Sequence, residues 1–96
     1  MDTPKPYTEY KEQRHGTNEM YIYRTFPIDR ADEELVWHRD TNSRIVHILS
    51  GEGWQFQVDD NLPEELKVGK DVYIPRGMYH RLLKGTSDLV IRIKEI

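Results

Sequence analysis

Hydrophobic and polar residues alternate along this chain in short segments that are typical of β-strands. Aromatic and β-branched residues are concentrated in MYIYRTF (20–26), ELVWHRD (34–40), RIVHILS (44–50), WQFQV (54–58) and LVIRIKEI (89–96). Proline, glycine, aspartate and asparagine separate these segments, and the glycines at 51 and 53 bracket a tight reversal. No segment keeps a helical period for more than a turn or two. The pattern therefore predicts an all-β sandwich or barrel.

Length and composition limit what this fold can do. The chain has 96 residues, of which 36% are hydrophobic and 32% charged, so we expect one modest core and a densely charged surface. The net charge of -3 comes from 14 basic and 17 acidic residues without a long run of either sign. This balance argues against a nucleic-acid partner and gives no support for a membrane-surface role.

The absence of cysteine and the composition of the N-terminal segment exclude several kinds of site and of protein. The chain contains no cysteine, which excludes disulfides, thiolate zinc sites and a thiol nucleophile. The first 16 residues are polar and contain Pro4 and Pro6, unlike a signal peptide, and no apolar run approaches the ~20 residues of a membrane span. We expect a cytoplasmic protein with an irregular lead-in over residues 1–19 and one domain over residues 20–96.

Candidate chemistry is concentrated in WHRDTNSR (37–44). His38 and Asp40 are one residue apart on a probable strand, so their side chains point to the same side, and Arg44 follows four residues after Asp40. A further histidine, His80, lies in RGMYH (76–80). Each residue also has a simpler interpretation: the histidines as ordinary buried side chains, Asp40 as a turn residue before TNS, and Arg44 as a surface charge.

Two stretches of the chain resemble the two signatures of the cupin superfamily. The second signature, G-x5-P-x-G-x2-H-x3-N, is matched by Gly69, Pro75, Gly77 and His80, with Lys84 at the asparagine position. The glycine of this motif has a physical reason, because a glycine at 77 allows a sharp bend with positive φ that turns His80 inward on the next strand.

The first cupin signature is matched in altered form. His38 and Asp40 take the two histidine positions, Arg44 stands at the glutamate position, and Gly51 is the closing glycine. The resemblance covers residues 20–96 and implies a small double-stranded β-helix, or jelly-roll barrel. The chain is also similar to the cupin half of bacterial mannose-6-phosphate isomerases and to short W-H-R-D cupins of tailed phages.

The resemblance implies a divalent metal ion held by His38, Asp40 and His80. Two imidazoles and one carboxylate are the ligand set that suits non-haem Fe(II), although Mn(II), Ni(II), Co(II) and Zn(II) are also compatible. The favoured function is then dioxygenase-like, on a small anionic molecule. The alternatives are a metal-free module that binds a small sugar or carboxylate, a scaffold, and a sugar isomerase or epimerase, for which Glu34 or a water would be the base.

Arg44 admits two arrangements, because a guanidinium next to a divalent ion is repulsive. In one, Arg44 stands back from the ion and binds the anionic group of a substrate. In the other, Arg44 pairs directly with Asp40 and the pocket holds no metal. Lys84, on the same face as His80, is expected at the rim of the pocket as a second cation.

The WQFQV segment has two possible registers. Hydrophobicity alone puts Trp54 and Phe56 inside, whereas the cupin alignment puts Gln55 and Gln57 inside as substrate hydrogen-bond donors. We favour the cupin register, in which Trp37, Trp54 and Phe56 form an apolar outer patch. Such a patch on a small chain predicts a homodimer.

Overall fold

The computed structural model describes residues 7–29 and 35–96, which contain eight β-strands and no helix. The strands are β1 (Thr8–Gln13), β2 (Met20–Phe26), β3 (Arg44–Ser50), β4 (Gln55–Val58), β5 (Glu64–Glu65), β6 (Asp71–Ile74), β7 (His80–Leu83) and β8 (Leu89–Glu95). The predicted all-β class is therefore confirmed. Across the same residues there is no helix with the length and apolarity to traverse a lipid bilayer.

The strands form two antiparallel sheets. One has five strands in the order β1-β2-β8-β3-β6, and the other has three in the order β5-β4-β7. Strand β8 is central, because it pairs with β2 on one side and with β3 on the other. Strand β8 therefore joins the β1-β2 pair and the β3-β6 pair into one sheet.

The core lies between the inner faces of the two sheets. Alternate residues of β8, namely Leu89, Ile91 and Ile93, are buried, and so are Val46 and Ile48 of β3. These β3 residues face the interior as the cupin register predicts, while the intervening His47 bonds Asp71 on the outer face. The inner faces of β3 and β8 are therefore apolar, as expected for a sheet that covers a core on one side.

The predicted register of β4 is wrong. Trp54 is fully buried and Phe56 nearly so, whereas Gln55 is exposed. Phe56 lies opposite Leu82 of β7, and this pairing directs the aromatic rings inward and the glutamines outward. The interpretation from plain hydrophobicity was the correct one. Because two members of the expected outer patch lie in the core, the homodimer stays a prediction without that support.

The lead-in is not irregular over the residues that the structure describes. Residues 8–13 form β1, which pairs with β2 along its whole length, from Thr8 opposite Thr25 to Gln13 opposite Met20. Every residue of β1 is exposed, so the strand carries no buried face. Residues 1–6 lie outside the described part of the chain, as does most of the predicted polar turn over residues 29–34.

Candidate metal centre

Backbone pairing brings the two signature histidines together. The segment before β3 is not a full strand, but His38 forms a β-bridge with His80 at the start of β7. The amide of His38 donates to the His80 carbonyl at 2.9 Å, and the amide of His80 donates to the His38 carbonyl at 3.0 Å. Residues that face each other across such a pair project to the same side. The two imidazole rings accordingly lie 4.3 Å apart, centroid to centroid.

Further hydrogen bonds fasten the Asp40 segment to the turn before His80. The amide of Gly77 donates to the Asp40 carbonyl at 2.9 Å, and the amide of Arg76 donates to Ser43 Oγ at 3.0 Å. Gly77 has a φ of 80°, as the second signature predicts, and this bend allows the chain to enter β7. The two segments that carry the candidate ligands are thus held together by main-chain hydrogen bonds and by the Ser43 side chain.

His38, Asp40 and His80 converge on one point. His80 Nε2 lies 3.2 Å from Asp40 Oδ2, and His38 Nε2 lies 3.7 Å from Asp40 Oδ1. One potential ligand atom from each residue falls within 4.8 Å of the other two. The side chains of His80 and Asp40 are 4% and 9% exposed, but that of His38 is 48% exposed. The cluster is therefore buried on one side and open to solvent beside His38.

Backbone carbonyls determine which ring nitrogen of each histidine is free. His38 Nδ1 lies 2.8 Å from the Val36 carbonyl, and His80 Nδ1 lies 2.7 Å from the Met78 carbonyl. A carbonyl accepts only, so each Nδ1 must carry the hydrogen and donate it. Each neutral ring then presents the lone pair of Nε2 toward the Asp40 carboxylate. This is the arrangement in which protein histidines bind metals.

One carboxylate oxygen of the cluster lacks both a hydrogen-bond donor and a cation. Asp40 Oδ2 is buried and accepts no hydrogen bond, although it faces the Nε2 atom of His80. A lone pair opposite a carboxylate oxygen is repulsive unless a proton or a cation lies between them. Burial lowers the pKa of His80 below its usual 6.5, which disfavours the proton. Two imidazole nitrogens and one carboxylate oxygen therefore fit a divalent ion.

Arg44 combines features of the two arrangements considered for it. Its Nη1 lies 3.5 Å from Asp40 Oδ1 and its Nε lies 3.7 Å from Glu95 Oε2. Glu95 also accepts a hydrogen bond from Asn42 Nδ2 at 2.9 Å. Arg44 therefore contacts Asp40 directly, but through one carboxylate oxygen only. The other oxygen, Oδ2, faces His80.

The cluster lies at the wall of a cavity of about 330 Å³ inside the barrel. Besides His38, Asp40, Arg44 and His80, the lining is mostly apolar, including Phe26, Val46, Ile48, Phe56, Val72, Ile74, Leu82, Ile91 and Ile93. This volume lies within the ~300–1,000 Å³ typical of small-molecule sites. The interior is therefore large enough for a small ligand in contact with the cluster.

Comparison with solved structures shows which fold this is. The chain is similar to an RmlC-like cupin family protein with a double-stranded β-helix fold from Methanocaldococcus jannaschii, with 17% identity, coverage of 99% of this chain and 92% of that chain, and a TM-score of 0.66. The chain has the cupin fold. The predicted double-stranded β-helix is confirmed, although no protein-family model and no curated protein matches the sequence.

Two enzymes share this cupin fold at low identity. DMSP lyase DddQ from Ruegeria pomeroyi is 16% identical, covers 95% of this chain and has a TM-score of 0.71. The Co(II) form of HppE in complex with Tris buffer is 15% identical, covers 100% of this chain and has a TM-score of 0.66. The chain spans only 47% of the lyase and 56% of HppE. It is thus similar to one half of larger enzymes.

Three residues that were expected in the cupin pocket lie outside its lining. Gln57 points outward, where it accepts a hydrogen bond from Arg81 Nε at 2.9 Å and donates to the Asn61 carbonyl at 3.0 Å. Gln55 is exposed on the same outer face, and Lys84 does not contribute to the cavity wall. The substrate-binding role predicted for the two glutamines depended on the wrong register of β4.

One charged residue of the cupin cavity was missed. Arg24 lines the cavity from β2, forms an ion pair with Glu9 of β1, and lies 4.3 Å above the Tyr7 ring. Its position was recognisable in MYIYRTF, because Arg24 alternates with the buried Ile22 and Phe26 and so shares their face. Its ion-pair partner, Glu9, lies on β1, which has no hydrophobic pattern that would predict a strand.

Proposed function

We propose that this chain is a mononuclear metal-dependent cupin in which His38, Asp40 and His80 hold a divalent ion, with Fe(II) favoured. The observation that carries the proposal is the buried, unpartnered Asp40 Oδ2 opposite His80 Nε2, with His38 Nε2 beside the other carboxylate oxygen, Oδ1. The favoured activity is dioxygenase-like, on a small anionic molecule bound in the barrel. The similarity in fold to the Co(II) form of HppE supports metal chemistry in general but not a particular reaction.

The side chains around the cluster have distinct roles in this proposal. The carbonyls of Val36 and Met78 fix the histidine tautomers, and Arg44 orients Asp40 by contacting Oδ1. The half-exposed His38 leaves a route from solvent to the centre. The apolar cavity wall excludes water from the far side of a bound molecule. A bound Fe(II) would supply Lewis acidity and one-electron redox chemistry to this site.

A metal-free binding module is the second candidate. The direct contact between Arg44 and Asp40 favours it, since a paired arginine and aspartate neutralise each other without an ion. A sugar isomerase or epimerase has less support, because the cavity wall is mainly apolar. The suggested base, Glu34, lies outside the described residues. The metal-dependent cupin and the metal-free binding module differ in whether the protein takes up metal.

Metal content of anaerobically purified protein tests the proposal. We expect about one Fe(II) or similar ion per chain, as three ligands imply, and loss of most of it in His80→Ala. The matched control is His47→Ala, because His47 also contacts a carboxylate, Asp71, but on the outer face. This control should retain the wild-type metal content.

Two results would contradict the metal proposal. One is full metal content in the double variant Asp40→Ala, His80→Ala. The other is a wild-type protein that takes up no ion when Fe(II), Mn(II) or Co(II) is added and yet binds a small carboxylate. The second result would favour the metal-free binding module.

A further inference from the structure

The cavity walls differ sharply in polarity between the cluster and the remainder of the barrel. Apart from Tyr7 and Arg24, the lining away from the cluster consists of aliphatic and aromatic side chains, among them Ile48, Ile91, Phe56 and Leu82. None of these four side chains carries a hydrogen-bonding group. A sugar or a polyol would lose its hydrogen bonds to water on entering this space without regaining them.

Charges at the cavity are mostly compensated by neighbours. Arg24 is paired with Glu9, and Arg44 lies between Asp40 and Glu95. A divalent ion at the cluster would exceed the one negative charge that Asp40, Arg44 and Glu95 leave between them. One positive charge would therefore remain at the metal centre, with little uncompensated charge elsewhere on the wall.

We infer that the ligand of this pocket is a small monocarboxylate with an apolar body. Its carboxylate binds at the metal centre, and its hydrocarbon chain lies along the Ile48 and Ile91 wall. This inference rests on the proposed metal site and adds the substrate class. Arg44 is not the anion anchor in this arrangement, because its charge is balanced by the carboxylates of Asp40 and Glu95.

A series of straight-chain carboxylates tests the inference on the metal-loaded protein. Acetate, butyrate, hexanoate and octanoate are titrated into protein loaded with Co(II), and binding is measured by calorimetry. We expect affinity to rise by about fourfold per added methylene until the cavity is filled, since each buried methylene contributes ~0.8 kcal/mol. Beyond that length the affinity should level off or fall.

Three further compounds separate the head from the body of the ligand. Hexanol has the same chain as hexanoate without the charge and should bind at least about tenfold more weakly, as for a lost hydrogen bond to a charged group. Adipate places a second carboxylate against the apolar wall and should also bind more weakly. Gluconate keeps the carboxylate but has a hydroxylated body, so we expect it to bind no better than acetate.

A variant that narrows the cavity tests the location. Val72 lines the cavity on β6, so Val72→Phe should shift the preferred chain to a shorter acid and weaken octanoate binding at least about tenfold. The matched control is Val68→Phe, because Val68 is 61% exposed and does not contribute to the lining. Metal content should remain unchanged in both variants.

Failure of the inference and failure of the metal proposal give different results. A protein that takes up metal but binds gluconate as well as hexanoate, or shows no dependence on chain length, retains its metal site and refutes the apolar ligand. A protein that takes up no metal refutes both. If Val72→Phe does not fold, the chain-length series on the wild type still decides the ligand class.

Discussion

The two ends of strands β3, β7 and β8 differ in how completely their polar groups are satisfied. At one end, which we call the closed end, Trp54 is fully buried and its Nε1 donates to the Ser87 carbonyl at 2.6 Å. The Trp54 carbonyl in turn accepts from the Leu66 amide at 2.8 Å. Leu89, at the start of β8, is also fully buried. This end combines dense packing with paired donors and acceptors.

The other end, which we call the open end, contains the candidate metal centre. Here Asp40 Oδ2 and Arg44 Nε are buried without a hydrogen-bond partner, and the His38 side chain is half exposed. An unpaired buried polar group costs about 1–3 kcal/mol. The same strands therefore support a satisfied end that stabilises the fold and an unsatisfied end that is suited to bind something.

Truncation of Trp54 should produce the largest loss of stability. Trp54→Ala removes the largest fully buried side chain of the closed end and its hydrogen bond to Ser87. We expect the free energy of unfolding, measured with urea, to fall by about 3–5 kcal/mol, the usual range for a tryptophan in a core. Such a loss exceeds half of the total stability of many small domains and could unfold the chain.

Trp37→Ala is the matched control, because it makes the same substitution on the outside. Trp37 stacks on Tyr79 with ring centroids 5.1 Å apart, and Arg81 lies 4.8 Å above its ring. Loss of these contacts should cost only about 0.5–1.5 kcal/mol. Equal losses in the two variants would mean that the closed end is not the stabilising part of the barrel.

The two tryptophans also show how far sequence reasoning reached. The resemblance to the cupin signatures predicted the fold and the convergence of His38, Asp40 and His80, because the family motifs imply the long-range pairing of the two segments that carry these residues. The same alignment placed Trp54 on the outside, together with Trp37. Alternation of WQFQV by hydrophobicity was the better guide, since burial of an indole outweighs a remote family register.

Strand β1 and the partner of Arg44 were not predictable in this way. The residues of β1, TEYKEQ, are all exposed, so the strand has no period-two hydrophobic pattern to detect. It forms because β2 offers a free edge. Glu95 reaches Arg44 from the other end of the chain, since β8 pairs with β3. Such contacts depend on tertiary pairing that no local pattern contains.

Two serines accept the same kind of hydrogen bond, one at the closed end and one at the open end, so their variants compare the two ends directly. Ser87 Oγ accepts from the Glu52 amide at 2.9 Å at the closed end, and Ser43 Oγ accepts from the Arg76 amide at 3.0 Å at the open end. Replacing either serine with alanine should lower the free energy of unfolding by about 1 kcal/mol. The two variants should therefore be alike in urea denaturation of the metal-free protein.

Metal affinity should separate the two serine variants. Ser43 fastens the Asp40 segment to the turn before His80, so Ser43→Ala should weaken Co(II) binding about tenfold, the lower end of the effect of supporting groups around metal ligands. Ser87→Ala should leave the affinity unchanged. If both variants bind Co(II) like the wild type, the Ser43 bond does not contribute to positioning the ligands.

The pH dependence of the free energy of unfolding, measured on the metal-free protein, tests the burial of His80 at the open end. Burial lowers the pKa of His80, whose neighbours include His38, Asp40 and Arg44. Below pH 6.5 the unfolded chain then binds a proton at His80 more readily than the folded chain does. The contribution of His80 to the free energy of unfolding is therefore complete above pH 6.5 and is lost as the pH drops toward the lowered pKa. His80→Asn should flatten this part of the urea-derived profile, because it removes the buried imidazole that resists protonation in the folded state.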